Sequence, residues 1–335
     1  MGGSVTIYDV AARAGVSEAT VSRVLNRQST VRPATAQRVL DAARELGYVR
    51  NVSATSLAKK GSDFVGLLLR DPRNPTYAEL SFGLQRECAR VGLQVVTVSP
   101  SVIRGEGFEL EGITTLLGLK PQGLFVATGT IDLDQVAAIA PTIPTVVLPR
   151  PVADEHISSV SFQEEAGMVT LAREVIARGH RRVAVFGTSI KQSRVEHFRM
   201  DVLERELTTA KVQVLRHENS QLLDLDQEIA RLLDECMAAE LTAVMCTNDV
   251  KAMAVLTACR ERGIRVPKDL SVTGADGAAL VVETLGLSTL RWPLGEASLL
   301  ATQALTSMIA EGNSSRQKHV LTGEFISGRT LAALS

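Results

Sequence analysis

Residues 6–26 carry the pattern that most constrains this chain, because they predict two short helices joined by a tight turn. Thr6 can cap the first helix, and Asp9, three residues later, favours the positive end of the helix dipole. Gly15 ends that helix, since glycine readily adopts the left-handed conformation of a tight turn. Ser17 can cap the second helix. The segment therefore predicts a helix-turn-helix, a shape that fits the major groove of DNA.

In both helices the apolar residues fall on one face and the polar residues on the other. The predicted inward positions are Val10, Ala11, Ala14, Val21, Val24 and Leu25, and the outward positions of the second helix are Glu18, Ala19, Ser22 and Arg23. Ser17 and Thr20 offer short hydroxyls to phosphate oxygens, and Arg23 is long enough to reach a guanine edge with two hydrogen bonds. A surface helical hairpin with solvated polar groups is the alternative interpretation.

The next residues favour DNA binding. Pro33 starts a third helix, which ends at Gly47, and its predicted inward positions are Ala36, Val39, Leu40, Ala43 and Leu46. Residues 51–58 are compatible with a helix that is too short to be stable alone. Residues 1–60 contain nine basic and four acidic residues, which leaves 27 basic and 33 acidic residues for the rest of the chain. A basic head before an acidic body is typical of a DNA-binding module joined to a domain with a separate task.

The motif of the head resembles the LacI/GalR family of bacterial transcription regulators. The matching residues are Val5-Thr-Ile-Tyr-Asp-Val-Ala11, Gly15-Val-Ser17, Thr20-Val-Ser-Arg-Val-Leu-Asn26 and Gly47-Tyr48, followed by Asn51, Ala54, Leu57 and Ala58. The resemblance implies DNA-backbone contacts for Ser17, Thr20, Ser22, Asn26 and Tyr48, and it adds Thr6, Tyr8 and Asn51 to the DNA-binding residues. It also implies that Glu18, Ala19 and Arg23 meet bases. Residues 51–58 would form a hinge helix, with Leu57 wedged into a minor-groove step beside Ala54.

From Phe64 onward, short apolar runs alternate with amphipathic stretches. The runs Phe64–Leu69, Leu93–Val98, Gly123–Val126 and Thr145–Leu148 predict one series of buried parallel strands, and Val183–Phe186, Val212–Leu215, Ala243–Cys246 and Leu270–Gly274 predict a second. Helical patterns between them include Tyr77–Val91, Gly167–Arg178, Asp224–Ala238 and Val250–Arg262. The predicted fold class is α/β, with two doubly wound lobes of parallel sheet behind the helical headpiece. The family resemblance implies the same arrangement, a core like that of periplasmic binding proteins.

These patterns also predict the domain boundaries. We expect a DNA-binding headpiece at residues 1–50, a hinge helix or linker at 51–61, and an effector-binding and dimerisation core at 62–335. The resemblance implies that the chain crosses between lobes near residues 160, 292 and 320. The N-lobe would comprise about 62–160 and 293–320, and the C-lobe about 161–292 and 321–335.

Open parallel sheets bind ligands at the carboxyl ends of their strands, so the cleft between the lobes is the predicted ligand site. Polar and aromatic residues at strand ends and at a lobe crossing are the candidates: Asn74, Tyr77, Arg150, Arg194, Asp249, Asp276 and Trp292. The resemblance implies that Arg194 contacts the effector, that Asn74 and Tyr77 belong to an Asn-Pro-aromatic loop, and that Asp249 belongs to an Asn-Asp pair. Carboxylates and arginines around a cleft suit neighbouring hydroxyl groups of a ligand.

Four of these candidates have a structural alternative. Asp249 could cap the helix that follows it, and Asn74 could hold its own loop through an Asx turn. Arg150 could be a solvated loop residue, and Trp292 could belong to the core between the lobes.

The core departs from the family pattern at three places. His197 stands where glycine is common, residues 162–165 replace the usual Asp-Asn after a strand, and Trp292 stands where a polar residue is frequent. These departures indicate a ligand other than a plain hexose. Sugars, polyols and nucleosides all fit a cleft of carboxylates, arginines and aromatic rings.

Composition and motifs exclude several classes of protein. The four cysteines, Cys88, Cys236, Cys246 and Cys259, lack metal-ligand spacing and are predicted to be buried reduced thiols. No metal or cofactor is therefore expected. The sequence contains no Gly-x-Ser-x-Gly elbow, Walker loop or nucleotide-binding glycine fingerprint, so we do not expect an enzyme. It also has no run of 18 apolar residues and no apolar signal segment, which predicts a cytoplasmic protein without a membrane partner.

Together these features predict a ligand-responsive transcription regulator, a repressor, that acts as a homodimer on a near-palindromic double-stranded operator. A small effector would bind between the lobes and alter the affinity for the operator. One alternative is a solute-binding receptor without a DNA role, which the basic head and the missing secretory signal disfavour. A sugar-active enzyme is a further alternative, but the sequence offers it no catalytic group.

Overall fold

The computed structural model describes residues 5–25, 31–48, 62–99, 108–129, 131–219, 225–314 and 316–334. The chain divides into two compact units, a head at residues 1–61 and a core at residues 62–335. The predicted DNA-binding residues Asn26, Asn51, Ala54 and Leu57 lie outside the described residues, as does the predicted hinge at residues 51–61.

The described part of the head consists of helices α1 (Ile7–Ala14), α2 (Glu18–Leu25) and α3 (Pro33–Glu45). The Asp9 carboxylate accepts hydrogen bonds from the Thr6 backbone N–H at 2.8 Å and from the Thr6 hydroxyl at 2.7 Å, which fixes the start of α1. Gly15 ends α1 with a φ of 64°, and the Ser17 hydroxyl accepts from the Thr20 N–H at 3.3 Å at the start of α2. The predicted helix-turn-helix is therefore confirmed.

The three helices share a small apolar core, and one predicted inward residue of α3 is wrong. Val10, Val21 and Val39 are fully buried. Leu40, predicted to face inward, is 43% exposed, and Ala42 is buried instead. Successive residues are about 100° apart around a helix, so the inward face that contains Val39 recurs three residues later and leaves Leu40 at its side.

The core alternates strands and helices. In chain order its first half contains β1 (Phe64–Leu69), α4 (Pro75–Arg90), β2 (Gln94–Val98), α5 (Phe108–Gly118), β3 (Leu124–Ala127), α6 (Leu133–Ile139), β4 (Thr145–Val147), β5 (Ser158–Phe162) and α7 (Glu164–Ala177). Its second half contains β6 (Arg182–Thr188), α8 (Arg194–Thr209), β7 (Gln213–Asn219), α9 (Leu225–Ala238), β8 (Ala243–Cys246), α10 (Asp249–Glu261), β9 (Ser271–Asp276), α11 (Ala279–Leu285), β10 (Ser288–Arg291), α12 (Leu294–Ala310), β11 (Lys318–Leu321) and β12 (Glu324–Ile326).

These strands form two six-stranded sheets, one in each lobe. The N-lobe sheet has the order β11-β5-β4-β3-β1-β2, and the C-lobe sheet has the order β12-β10-β9-β8-β6-β7. Neighbouring strands are parallel, for example β1 with β3, whereas β12 pairs antiparallel with β10. The chain passes between the sheets after β5, after β10 and after β11, and α12 returns to pack on α4. The predicted α/β architecture of two doubly wound lobes is confirmed.

Two strands were wrongly predicted to be buried. In β2, Gln94 and Thr97 are exposed, and in β7, Gln213 and Glu218 are exposed. Both strands lie at the edge of a sheet, where one side has no neighbouring strand. By contrast, every residue of the central strands β1 and β8 is buried.

The two lobes meet through direct hydrogen bonds near the carboxyl ends of their strands. Arg70, which follows β1 in the N-lobe, donates to the carbonyl of Gln192 in the C-lobe at 2.7 Å. The carboxylate of Glu79 in α4 accepts from the backbone N–H of Ala279 at 3.0 Å. These bonds place the strand ends of both sheets on the two sides of one cleft.

All four cysteines are buried and free, as predicted. Burial raises the pKa of the Cys88 thiol to about 11 and that of Cys236 to about 12, which leaves them unreactive near neutral pH. Among the described residues, no helix is both long enough and apolar enough to span a bilayer.

The contact between α4 and α12 depends on the small size of Gly83. A Cβ atom at Gly83 would lie 2.9 Å from the Cβ of Ser298, whose hydroxyl is buried and donates to the Leu294 carbonyl at 2.8 Å. We expect Gly83→Ala to lower the free energy of unfolding by about 1–3 kcal/mol because α4 and α12 must move apart. Urea unfolding of the full chain, followed by fluorescence of Trp292, measures this change, since the chain has one tryptophan.

Gly118→Ala in α5 is the matched control. A Cβ atom at Gly118 meets nothing within 4 Å, so alanine should leave stability unchanged or raise it by about 0.5–1 kcal/mol. Equal stabilities of the two variants would contradict the packing argument.

Candidate functional site

The outer face of α2 presents the side chains predicted to read DNA bases. Glu18, Ala19 and Arg23 are exposed, whereas Val21 and Val24, on the opposite face, are buried. A helix anchored on one face and open on the other can enter a major groove. The base contacts of the three exposed residues stay predictions.

The hydroxyl groups predicted to contact DNA differ in their surroundings. Ser17 Oγ and Thr20 Oγ1 lie 2.9 Å apart at the start of α2, where a phosphate oxygen could accept from them. Ser22 is half-buried. The Thr6 hydroxyl already donates to Asp9 in the cap of α1.

The two predicted tyrosines of the head are placed differently. Tyr8 is 66% exposed at the start of α1 and offers its ring and hydroxyl to a partner. Tyr48 is half-buried and packs against the apolar core of the head.

A cavity of about 900 Å³ lies between the lobes of the core. The N-lobe contributes Gly129, which follows β3, and Arg150, which follows β4; the C-lobe contributes residues of α7 and α8. Two of the predicted ligand residues line this cavity, Arg150 and Arg194. The other five, Asn74, Tyr77, Asp249, Asp276 and Trp292, are not part of its wall.

Arg150 is held in place by the N-lobe backbone. Its Nη1 donates to the carbonyls of Gly129 at 3.0 Å and Ile131 at 2.9 Å. Burial lowers the pKa of Arg150, and the positive charge of Arg194 lowers it further. Arg150 is therefore a fixed part of the cavity wall rather than a freely solvated loop residue.

Asn74 and Tyr77 lie at the start of α4. The Asn74 side chain accepts from the Thr76 N–H, two residues further on, at 2.9 Å, which is the Asx turn of the structural alternative, and Asn74 also caps α4. Tyr77 packs against the core, and burial raises the pKa of its hydroxyl, which lies beside the Arg70 guanidinium. The negative charge of Asp276 also raises the pKa of Tyr77, which indicates that Tyr77 faces the C-lobe across the cleft.

Asp249 is hydrogen-bonded within the C-lobe through both carboxylate oxygens. It is 1% exposed, and its two oxygens accept from the Thr289 hydroxyl at 2.7 Å and the Gly277 N–H at 2.8 Å. Burial raises the pKa of this carboxyl. The idea that Asp249 caps α10 is wrong, because Asn248 is the cap and accepts from the Lys251 N–H at 2.8 Å.

Asp276 belongs to a buried charge cluster formed by Glu164, Arg199 and Asp276. Arg199 donates through Nε and Nη2 to the two carboxylate oxygens of Glu164, at 2.7 and 3.0 Å, and through Nη1 to Asp276 at 2.8 Å. The same Nη1 donates to the carbonyl of Thr247 at 2.8 Å, just after β8. Arg199 is 5% exposed. Burial alone would lower the pKa of Arg199, but the two carboxylates outweigh it and raise that pKa.

Asp276 has an unusual backbone conformation and a carboxyl group with a raised pKa. Its φ of 147° lies in a region that side-chain-bearing residues rarely adopt. Burial raises the pKa of the Asp276 carboxyl, and the negative charge of Asp249 adds to this effect. The charge cluster thus holds three elements of the C-lobe together: α7 through Glu164, α8 through Arg199, and the end of β9 through Asp276.

Trp292 is part of the core at a lobe crossing, as its structural alternative proposed. Its side chain is 2% exposed and stacks on Phe162, with ring centroids 4.9 Å apart and 5° between the planes. Arg199 lies 5.5 Å from the Trp292 ring centroid, a cation–π distance. Among the described residues, no acceptor lies within hydrogen-bond distance of Trp292 Nε1.

A second ion pair lies at the strand ends of the C-lobe. Lys251 Nζ donates to Glu196 at 2.5 Å, and the Thr247 hydroxyl donates to the same carboxylate oxygen at 3.1 Å. Burial alone would raise the pKa of Glu196, but Lys251, Arg70 and Arg199 together lower it. Glu196 is therefore a carboxylate at neutral pH and is stabilised as one by its neighbours.

Sequence reasoning missed Arg70, Glu164, Glu196, Arg199 and Lys251. Two signals could have found two of them. Arg70 directly follows a strand, which is the rule that selected the other candidates. Arg199 lies four residues before Leu203 on the buried face of α8, and a charged residue on an apolar helix face indicates a buried partner. The described residues contain no cluster of His, Cys, Asp and Glu suited to a metal ion.

Comparison with known proteins covers both units of the chain. The family model described as "Bacterial regulatory proteins, lacI family" matches residues 6–51, and the model described as "Periplasmic binding protein-like domain" matches residues 172–331. The HTH-type transcriptional regulator DegA of Bacillus subtilis (strain 168) is 28% identical over 330 residues, which are 96% of each chain.

Two solved structures resemble the whole chain. The lac repressor dimer bound to operator and the anti-inducer ONPF has a TM-score of 0.78 and 25% identity, and the match covers 99% of this chain and 100% of that one. The complex of the transcriptional regulator CelR with cellobiose has a TM-score of 0.67 and 26% identity, covering 97% and 99%.

The charge cluster predicts a large effect of removing Arg199. Arg199→Met leaves Glu164 and Asp276 buried beside each other without a cation, and we expect the free energy of unfolding of the core to fall by about 3–5 kcal/mol. Arg205→Met in the same helix is the matched control, because Arg205 is half-exposed and pairs with Glu165 on the surface. Urea unfolding should separate the two variants clearly, and similar midpoints would contradict the proposed role of Arg199.

Proposed function

The chain belongs to the lacI family of bacterial regulatory proteins, and we propose that it is a transcription repressor whose affinity for operator DNA is set by a small ligand between the core lobes. The observation that carries the proposal is the presence of two features in one chain. The α2 helix presents an exposed polar face, and the core encloses a cavity of about 900 Å³ between two lobes.

In this proposal α2 lies in the major groove. Arg23 donates to a guanine edge, and Glu18 accepts from a cytosine amino group or excludes other bases. Ser17 and Thr20 bind backbone phosphates and fix the register, and Ser22 and Tyr48 contact the backbone beside them. Thr6 and Tyr8 are further DNA-binding residues of the head. The assigned roles of Asn26, Asn51, Ala54 and Leu57 rest on sequence alone.

The operator-binding species is a homodimer, since a two-fold protein reads a two-fold DNA site. The similar lac repressor structure is itself a dimer on operator DNA. In the present core, Phe82 on α4 and Leu280 on α11 are 66% and 74% exposed. Association of two copies would cover large apolar side chains of this kind.

The ligand acts by favouring one arrangement of the lobes. Arg150 from the N-lobe and Arg194 from the C-lobe line the same cavity, so a ligand that binds both stabilises a particular separation of the lobes. In this proposal the change passes to the head through residues 51–61, the hinge or linker predicted from the sequence. By linkage, a ligand that weakens operator binding binds less tightly to the operator complex.

The proposed ligand is small and polyhydroxylated, and the proposed role is not enzymatic. The similar CelR structure is a complex with cellobiose, a sugar, and DegA is named a regulator. A protein that reads operator DNA works beside the chromosome, so the proposal includes a location in the bacterial cytoplasm. A solute-binding receptor without a DNA role would not explain the helix-turn-helix of the head or the exposed polar face of α2.

The direct test is a pair of substitutions in the head. Arg23→Ala removes the main predicted base contact, so its affinity for the selected operator should fall about tenfold or more, with relaxed sequence preference at one base pair of each half-site. Arg44→Ala is the matched control, because it removes an equal charge from the exposed end of α3. The operator is first selected from random DNA with the full wild-type chain, and affinities are then measured by fluorescence anisotropy at one salt concentration.

Wild-type sequence preference in Arg23→Ala would contradict the assigned readout. Failure of the wild-type chain to select any sequence would contradict the proposed function itself.

A further inference from the structure

The cavity between the lobes has an unbalanced set of charges. Its wall contains the arginines Arg150, Arg173, Arg194 and Arg205 and the carboxylates Glu164, Glu165 and Glu206. All three carboxylates already have cationic partners. Glu164 pairs with Arg199, and Glu165 and Glu206 pair with Arg205. Within the part of the chain that the structure describes, Arg150, Arg173 and Arg194 have no carboxylate within ion-pair distance.

Arg150 is pre-positioned for an anion. Nη1 is bound to the carbonyls of Gly129 and Ile131, which fixes the guanidinium plane, while Nε and Nη2 make no hydrogen bond to a described residue. A guanidinium with one edge fixed and the other free matches the two oxygens of a carboxylate or phosphate. The carboxylate of Asp132, whose charge favours the charged form of Arg150, caps α6 by accepting from the Asp134 N–H at 3.2 Å.

Arg194 approaches from the other lobe. It is exposed at the first turn of α8, and its charge is close enough to disfavour the charged form of Arg150. Two cations that face one cavity without an anion between them repel each other, and a bound anion removes that repulsion. The first turn of a helix adds a favourable dipole for a negative group.

The rest of the wall is mostly apolar. It includes Leu133, Pro151, Phe162, Val195 and Phe198. Phe198 is 43% exposed, so its ring is available to cover a flat face of a ligand. Asp249 and Asp276, which would suit the hydroxyls of a neutral sugar, are already bonded within the C-lobe.

We propose that the ligand of this cleft is a small organic acid, a carboxylate or phosphate ester with a hydroxylated ring as its body, whose acid group bridges Arg150 of the N-lobe and Arg194 of the C-lobe. This inference rests on the proposed function, because it names the class of the ligand in the same cavity. The acid group would then be the part of the ligand that draws the two lobes together.

Inorganic phosphate is the first probe, added to the full chain at constant ionic strength with chloride as the replacing ion. We expect the thermal midpoint to rise and saturate with phosphate in the millimolar range. In Arg150→Gln and in Arg194→Gln, the phosphate concentration for half of the shift should increase about tenfold or more. Arg194 makes no hydrogen bond to a described residue, so Arg194→Gln tests the site without loss of an internal contact.

Arg181→Gln is the matched control. Arg181 is exposed at the opposite end of the C-lobe sheet, beside the start of β6, and its side-chain partners among the described residues are the backbone carbonyls of Ile176 and His180. Phosphate that binds to the basic head should shift the thermal midpoint equally in every variant. The difference in this shift between variants therefore reports on phosphate binding in the cleft. A response of the Arg150 and Arg194 variants equal to that of Arg181→Gln, or no saturable response in wild type, would overturn the inference.

Matched neutral and acidic sugars then separate the sources of the acid group. Galactose, galacturonate and galactose 6-phosphate are titrated into wild type and Arg194→Gln by calorimetry. An arginine-dependent preference for galacturonate over the phosphate ester assigns a carboxylate, and the reverse preference assigns a phosphate. Binding of galactose alone would overturn the acid class but leave ligand binding in the cleft, and hence the proposed function, intact.

Discussion

The buried guanidinium of Arg199 is the interaction on which the cleft depends. It carries the charge that allows Glu164 and Asp276 to lie together in the interior of the C-lobe, and it binds the carbonyl that ends β8. Burying these ions costs several kcal/mol each, and hydrogen bonds that use both carboxylates and a carbonyl are what offset the cost. The Trp292 ring lies beside the cluster, with its centroid 5.5 Å from Arg199. The strand ends and one lobe crossing are thereby held in a single arrangement.

This arrangement decides which groups remain for a ligand. Because Asp276 is bonded to Arg199, and Asp249 to Thr289 and Gly277, the carboxylates at the strand ends are occupied within the protein. Among the residues that the structure describes, the arginines that face the cavity, Arg150 and Arg194, have no carboxylate within ion-pair distance. The cleft therefore combines an apolar wall with uncompensated positive charge, although the chain as a whole carries a net charge of −1. Local charge, rather than net charge, determines what the cleft can bind.

Local features of the fold could be predicted from the sequence, and long-range contacts could not. Gly15 and Ser17 fix the turn of the head through their own backbone preferences, and the all-apolar run Phe64–Leu69 has one plausible place, in the centre of a parallel sheet. Arg199 differs because its partners lie 35 and 77 residues away along the chain. No periodic pattern in the sequence indicates such a contact, because it forms only when α7, α8 and β9 have packed together. For the same reason sequence reasoning, which named Asp276 as a ligand residue, did not predict its bond to Arg199.

The most direct test of this account is a double-mutant cycle between Glu164 and Asp276. Glu164→Gln, Asp276→Asn and the double variant are compared with wild type by urea unfolding of the full chain, followed by Trp292 fluorescence. If both carboxylates act through Arg199, the loss in the double variant should differ from the sum of the single losses by at least about 1 kcal/mol. Losses that add within about 0.5 kcal/mol would mean that the two residues are independent, and would contradict the central place given to Arg199.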